Sequence, residues 1–340
     1  MSSTGQVQTF SDLYTDLLNR ARVDSSQTMQ VTQAKRYINI ALIDMHLGNG
    51  EKFPWAERAS RLLTHAPYST GTVTVATGSA SVTGSGTAWN TNDDFGEKNV
   101  RAGGKILFSG DDTVYEVLSV ASDTALTLTD VYRGTEDLSG DGYNYWEDEY
   151  ALAADFLKPL DKNTFDGRGE IQILDRREFR RLYTRVTGTG VIRRCAIVDK
   201  PFASNATPVR KVIFHQPPSE ARYIAYAYVT SYLAVTAAGV EQTQLSSDTD
   251  EPIVPLYARH AIVAHALYNW YRDKKNDTRS QEAKAEYVDL ITRLLGDVEV
   301  GAQRPQIRPR ASGYARSARR PYSGARVGRY TTGSNFDENR

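Results

Sequence analysis

The sequence predicts an α+β protein, and three observations carry that expectation. Helical periodicity lies at both ends of the folded part, over residues 9–22 and 28–47 and again from 256 to 294. Short period-two runs between Gly, Asp and Ser turns fill residues 71–134, the pattern of antiparallel strands. After residue 300 the chain becomes rich in Arg, Tyr and Gly, with almost no aliphatic side chains. The expected architecture is a helical core made by an N-terminal hairpin and C-terminal helices. Into it is inserted a small antiparallel β-barrel or sandwich module, and a basic C-terminal tail follows, disordered when free. The divisions are 1–70 (helical hairpin and a connecting strand), 71–134 (β module), 135–251 (mixed strand and loop), 252–300 (C-terminal helices packing on the hairpin) and 301–340 (tail).

The first helix places Phe10, Leu13, Tyr14, Leu17, Leu18 and Ala21 on one stripe. The second does the same with Val31, Ala34, Ile38, Ala41, Leu42 and Met45. Ser25 or Ser26 is the candidate N-cap, and Gly48-Asn49-Gly50 suits a left-handed C-cap. One hairpin cannot bury both stripes, so a later helix must join it.

In the β module the alternating pairs are Val73/Val75, Ala80/Val82, Ile106/Phe108, Tyr115/Val117 and Leu126/Leu128. Five or six such strands can close on themselves but bury little core alone. Beyond it, Tyr143, Tyr145, Trp146 and Tyr150 crowd around Glu147-Asp148-Glu149. Residues 175–183 read as a short basic helix, 222–229 as a strand, and 233–251 as a flexible connection. Pro252 and Pro255 fit the first turn of a helix carrying Leu256, Tyr257, His260, Ala261, Ala264, Leu267, Tyr268 and Tyr271. Thr278 and Gln281 resemble a capping box for a last helix, with Ala283, Tyr287, Leu290, Ile291 and Leu294 on one face and Gly296 closing it.

Charge is unevenly spread. Nine arginines against Asp337 and Glu338 give residues 301–340 a net +7, which leaves −7 on residues 1–300 although the whole chain sums to zero. An acidic body with a basic tail suggests charge-guided docking on an anionic partner. The 20 tyrosines against 10 phenylalanines fit either a partner surface or ordinary strand filling. A single cysteine, Cys195, excludes an internal disulfide framework. The opening MSSTGQVQTF lacks a secretion-signal pattern, and no apolar run approaches the ~20 residues that span a bilayer. The expectation is a soluble protein made in cytoplasm, with no membrane anchor.

No catalytic, cofactor-binding or metal-binding residue is assigned. No metal-ligand set is visible among His46, His65, His215, His260 and His265, and the last two are five apart, off one helical face. Cys195 lacks a recognisable base and reads as an inert thiol. Asp93/Asp94 and Asp111/Asp112 occupy turn positions, and Glu147–Glu149 does not make an acid-base pair. Gly84-Ser85-Gly86 and Gly188-Thr189-Gly190 lack the follow-on residues of a nucleotide loop. The candidate partner-binding residues lie in the tail: Arg304, Arg308, Arg310, Tyr314, Arg316, Arg319, Arg320, Tyr322, Arg326, Arg329 and Tyr330. Arg interleaved with Tyr can contact phosphates and stack on bases, or lie along the acidic face of a neighbouring subunit. The charge division favours the protein partner.

Four stretches together resemble the head-to-tail adaptor (head-completion, neck or connector) proteins of tailed bacteriophages, of the short-tailed type. They are Arg36–Leu42, the GTVTV…GSASVTGSGTAW…SDTALTL…VYRG module, Leu152–Phe156 with the 175–183 element, and the late helix pair. The likeness spans most of residues 9–296 and excludes the tail. The resemblance implies a virion structural protein without catalysis at the capsid vertex, assembled in host cytoplasm. There it would form a homo-oligomeric ring, usually of twelve subunits, seated on the portal. The ring extends the DNA channel, passes the genome through its lumen and presents the attachment surface for a downstream tail or nozzle protein. Alternatives from other classes are a tail protein with a glycan- or receptor-binding β module, a cell-wall-degrading virion enzyme, and a general nucleic-acid binder.

Overall fold

The computed structural model describes residues 8–49, 52–160, 165, 171–182, 188–200 and 209–303. They form a mixed α+β protein, rich in strand, in two compact units. Of the described residues, one unit holds Leu13–Ala41 and those from Leu256 to Gln303; the other holds Gln8–Asp12 and those between Leu42 and Pro255.

Helix α1 (Phe10–Ala21) opens with a capping box. The Thr9 amide donates to Asp12 Oδ2 at 3.0 Å, and the Asp12 amide returns to Thr9 Oγ1 at 3.3 Å, so two amides without intrahelical partners are satisfied. Helix α2 (Thr28–Asn49) starts without a serine cap. The Gln30 and Val31 amides bond to the Gln27 carbonyl at 2.9 and 3.1 Å, while the Asp24 carboxylate holds Ser26 in a turn before it. The serines therefore lie in the connection between the helices.

In the first unit, α1 and α2 meet α4 (His260–Asp273) and α5 (Asp277–Gln303). Tyr37 donates to Asp273 and sets its ring edge-on to Trp270 at 6.0 Å. The Tyr271 hydroxyl donates to the Arg20 carbonyl at 3.3 Å, and Arg20 pairs with Glu286 at 3.0 Å. Helix α4 buries Ala261, Ile262, Val263, Ala264, Ala266, Leu267, Asn269 and Trp270, as a helix apolar nearly all round must. It is preceded by a 3-10 turn, Leu256–Ala258, where the prolines predict the first α-helical turn. The cap of α5 is Asn276, whose Oδ1 accepts the Arg279 amide at 3.2 Å, rather than the box from Thr278. Gly296 does not close α5, which runs on to Gln303. A glycine inside a helix costs only about 1 kcal/mol, and Gly296 stays outside the left-handed region that a C-cap needs.

Both α1 and α4 end in Schellman turns. The Val23 amide bonds to the Leu18 carbonyl and the Arg22 amide to Asn19; Asn276 and Lys275 repeat this with Tyr271 and Arg272. The residue that must turn left-handed is Arg22 (φ 58°) in one and Lys275 (φ 56°) in the other, where glycine is the usual choice. Replacing Lys275 with Gly is expected to raise stability by about 0.5–1 kcal/mol, because the left-handed strain outweighs the entropy that glycine adds to the unfolded chain. Urea denaturation checks this, and a loss of stability would show that the lysine side chain contributes more than its backbone strain.

The second unit is built of strands. β1 (Glu57–Leu63) follows a 3-10 turn at Pro54–Ala56. Seven strands then make one antiparallel sheet: β2 (Thr72–Val75), β3 (Ser81–Ser85), β4 (Lys105–Phe108), β5 (Val114–Ser122), β6 (Ala125–Leu128), β7 (Leu138–Asp141) and β8 (Tyr143–Trp146). Their order is β7-β2-β3-β6-β5-β4-β8. The two edge strands are separated in sequence by Gly142 alone, so the chain can pass between the edges only if the sheet curls. Of the ten positions picked out by alternation, Val73, Val75, Val82, Ile106, Phe108, Tyr115, Val117, Leu126 and Leu128 are buried in one cluster inside that curl, and Ala80 packs against it only partly buried.

Three further sheets follow. β1 pairs with β14 (Tyr223–Thr230), which also pairs with β10 (Phe156–Pro159). β9 (Glu149–Ala151), β11 (Gln172–Ile173), β12 (Arg194–Lys200) and β13 (Val209–His215) form the order β11-β12-β13-β9. The basic helix α3 (Arg176–Leu182) precedes β12, and Asp175 accepts the Arg177 amide at 2.9 Å. Residues 233–251 are ordered rather than flexible. They carry β15 (Ala234–Val235) and β16 (Glu241–Gln242) and run into β17 (Glu251–Pro252). Buried Asp250 explains why so polar a segment orders: its Oδ2 accepts the Ser247 amide at 2.7 Å, the Ser246 amide at 2.8 Å and Gln242 Nε2 at 2.6 Å. Burial raises its pKa, but these bonds outweigh burial and lower it overall.

Candidate functional site

A polar cluster with buried side chains lies where the chain enters and leaves the seven-stranded sheet. Two crossings join that sheet to the rest of its unit, residues 64–71 before β2 and 147–148 after β8. His65 sits on the first, Glu147 on the second. Glu147 is 9% exposed; its Oε2 accepts Arg101 Nε at 2.8 Å and the Tyr145 hydroxyl at 2.7 Å. The same Tyr145 oxygen accepts the Arg101 amide at 2.9 Å. The Tyr150 hydroxyl accepts the His65 amide at 3.2 Å, and the rings of the two residues stack at 6.0 Å. Asp93, 3.8 Å from His65 Nδ1, is occupied as a turn cap, its Oδ1 accepting the Phe95 and Glu97 amides at 2.8 and 3.0 Å.

Electrostatics follow from this packing. Burial and the Arg101 charge hold His65 below the usual imidazole range, against the pull of Glu147 and Asp93. Burial, then the neighbouring Glu147 carboxylate, pushes the Tyr145 phenol far up. Nearby, burial disfavours the charge on Lys105, but Asp148, Glu149 and Glu116 outweigh it and raise its pKa. Glu147, Arg101, Tyr145 and Lys105 each have a fixed partner, while the buried His65 Nδ1 makes no hydrogen bond among the described residues; the cluster acts as a lock across the two crossings. Sequence crowding of aromatics around Glu147 marks half of it. Arg101, 46 residues upstream, carries no local signal.

The other candidate side chains also have structural work. Cys195 is buried, and burial pushes its thiol up to about 12. His46 Nε2 lies 2.6 Å from the Thr230 carbonyl. His265 packs against the rings of Tyr268 and Tyr287 at 5.8 and 4.5 Å. Asp111 caps the turn before β5, accepting the Thr113 amide at 2.9 Å. Among the described residues, no group of three His, Cys, Asp or Glu side chains could hold a metal ion, and no helix is long and apolar enough to cross a membrane.

The tyrosine excess divides in two. Tyr37, Tyr115, Tyr132, Tyr143, Tyr145, Tyr150, Tyr226 and Tyr228 are buried, so strand filling accounts for much of it. Tyr228, for instance, stacks on Phe156 at 5.3 Å and donates to Asp155 at 2.7 Å. The tail residues, from Arg304 to Tyr330, lie outside the described residues. Compared with known proteins, the chain matches no family model and no curated protein sequence.

Proposed function

We propose that this chain is a head-to-tail adaptor of a short-tailed bacteriophage, a non-catalytic virion protein that forms a ring on the portal. In this reading the ring, of about twelve copies by the family resemblance, extends the DNA channel and presents the surface to which the next tail component attaches. The observation that carries it is the path of the chain. The first and last helices belong to one unit, a strand-rich run from Leu42 to Pro255 is inserted between them, and the Arg/Tyr stretch leaves from the end of α5. We read the helices as the core of the subunit, the curled seven-stranded sheet as its barrel-like module, and residues 304–340, beyond α5, as a tail that orders on contact.

Charge supports the partner. Residues 71–146 carry eleven acidic against four basic side chains, so this stretch is −7 where residues 301–340 are +7. Such a tail is drawn both to an acidic portal surface and to a neighbouring subunit, and ordering it reduces the affinity of one copy while many linked copies restore that of the ring. The buried Glu147 carboxylate held by Arg101 and the buried, high-pKa thiol of Cys195 fit a scaffold better than an enzyme.

Deleting residues 304–340 tests this reading. Attachment to purified portal is expected to fall by at least about tenfold and to lose most of its salt dependence. Attachment unchanged at every salt concentration would defeat the role given to the tail. Failure of the full chain to join portal under negative-stain microscopy would defeat the adaptor reading itself.

A further inference from the structure

Helix α2 is apolar on two faces. One is buried through Ala34, Ile38, Ala41, Leu42 and Met45. At about 100° per residue, Met29, Arg36, Ile40, Ile43 and Leu47 fall within an arc of about 60° on the opposite side. Met29 is 80% exposed, Leu47 59% and Ile43 38%. Single exposed apolar residues are ordinary, but an aligned row on one helix is a surface made for a partner.

Helix α5 carries the matching half. Its outward arc holds Ala285, Val288, Asp289, Thr292 and Gly296, all exposed. These side chains are small where those of α2 are large, so the α2 side chains would lie in the hollows along α5. The single charge in the α2 row is cationic and that in the α5 row is anionic. Among the described residues Asp289 pairs with Arg293 four residues on, at 2.7 Å and well exposed, a surface pair worth little and readily exchanged.

We infer that the outer face of α2 in one copy packs on the outer face of α5 in the next, with Arg36 set against Asp289. Because the two faces differ, the contact is head-to-tail and repeats from copy to copy, closing a ring or extending a filament according to its rotation. It needs only a second copy of this chain and stands whether or not the partner is a portal.

Paired cysteines test it on the full-length protein. Oxidising the Arg36→Cys/Asp289→Cys variant is expected to give a ladder of covalent oligomers, whereas Arg36→Cys alone stays monomeric. The native Cys195 is buried and does not compete. In sedimentation, Leu47→Lys, at an exposed position that leaves the fold intact, is expected to weaken self-association at least roughly tenfold, since it places a charge in the apolar row. Covalent dimers from Arg36→Cys alone would show a symmetric contact between α2 helices and overturn the inference. So would the absence of a ladder, or wild-type association by Leu47→Lys. A ladder from a protein that fails to bind portal would sink the adaptor reading alone.

Discussion

Replacing Trp89 with alanine is expected to cost about 3–5 kcal/mol, the range for emptying a large aromatic site. Trp89 is completely buried in the cluster enclosed by the seven-stranded sheet. Its Nε1 donates to the Tyr143 hydroxyl at 2.8 Å, and that hydroxyl donates onward to the Thr70 carbonyl at 2.7 Å. The indole thus links the loop between β3 and β4 to the edge strand β8 and to the crossing that enters the sheet. Gly84 leaves the room it needs, since a Cβ there would come within 2.8 Å of the indole. Its removal leaves a cavity whose walls are strands paired to one another, which cannot collapse freely. Trp55 is the control. It is partly exposed and stacks on Phe53 at 4.5 Å, so Trp55→Ala is expected to cost less than half as much. Urea denaturation of both variants, followed by far-UV circular dichroism, makes the comparison. Equal losses would mean that Trp89 is not the keystone of the sheet.

Where each element was legible in the sequence follows from how local its cause is. The ten alternating positions from Val73 to Leu128 needed only period two and the burial of one face, and nine of them are buried. Helices α1, α2 and α4 needed only a stripe. What sequence could not supply was anything fixed by a distant partner. A connecting strand is expected within residues 1–70, but ERASRLL has no clean alternation, and the position and bounds of β1 come from β14, which pairs along its whole length. Strand β7 contains one aliphatic residue, Leu138, and is held by β2. The loop at 233–251 looks flexible by composition, yet the carboxylate of Asp250 collects its donors. The helix caps were misplaced for a related reason: Arg22 and Lys275 occupy a backbone state that glycine would advertise, and Asn276 competes with Thr278 for one turn. The lock at Glu147 was half visible, its carboxylate in plain view and its guanidinium partner hidden 46 residues away.

That lock carries the second large effect. Substituting Glu147 with alanine is expected to cost about 2–3 kcal/mol, below the 3–5 typical of a broken buried pair. The discount has a physical source. The Arg101 side chain is 21% exposed and also donates to the Lys98 carbonyl, so its orphaned charge keeps some solvent and one acceptor. The Tyr145 hydroxyl loses the carboxylate it donates to, but the Arg101 carbonyl at 3.2 Å remains. Glutamine at 147 keeps an acceptor for both donors and loses only the charge, so about 1 kcal/mol is expected. Pairing Glu147→Ala with Arg101→Met removes the charge that the single change strands, and the double variant should be more stable than Glu147→Ala alone by about 1 kcal/mol or more. Denaturation midpoints of the four proteins close this cycle. If the two substitutions simply add, Arg101 and Glu147 do not act as a pair, and the two crossings are held by backbone and aromatic packing instead.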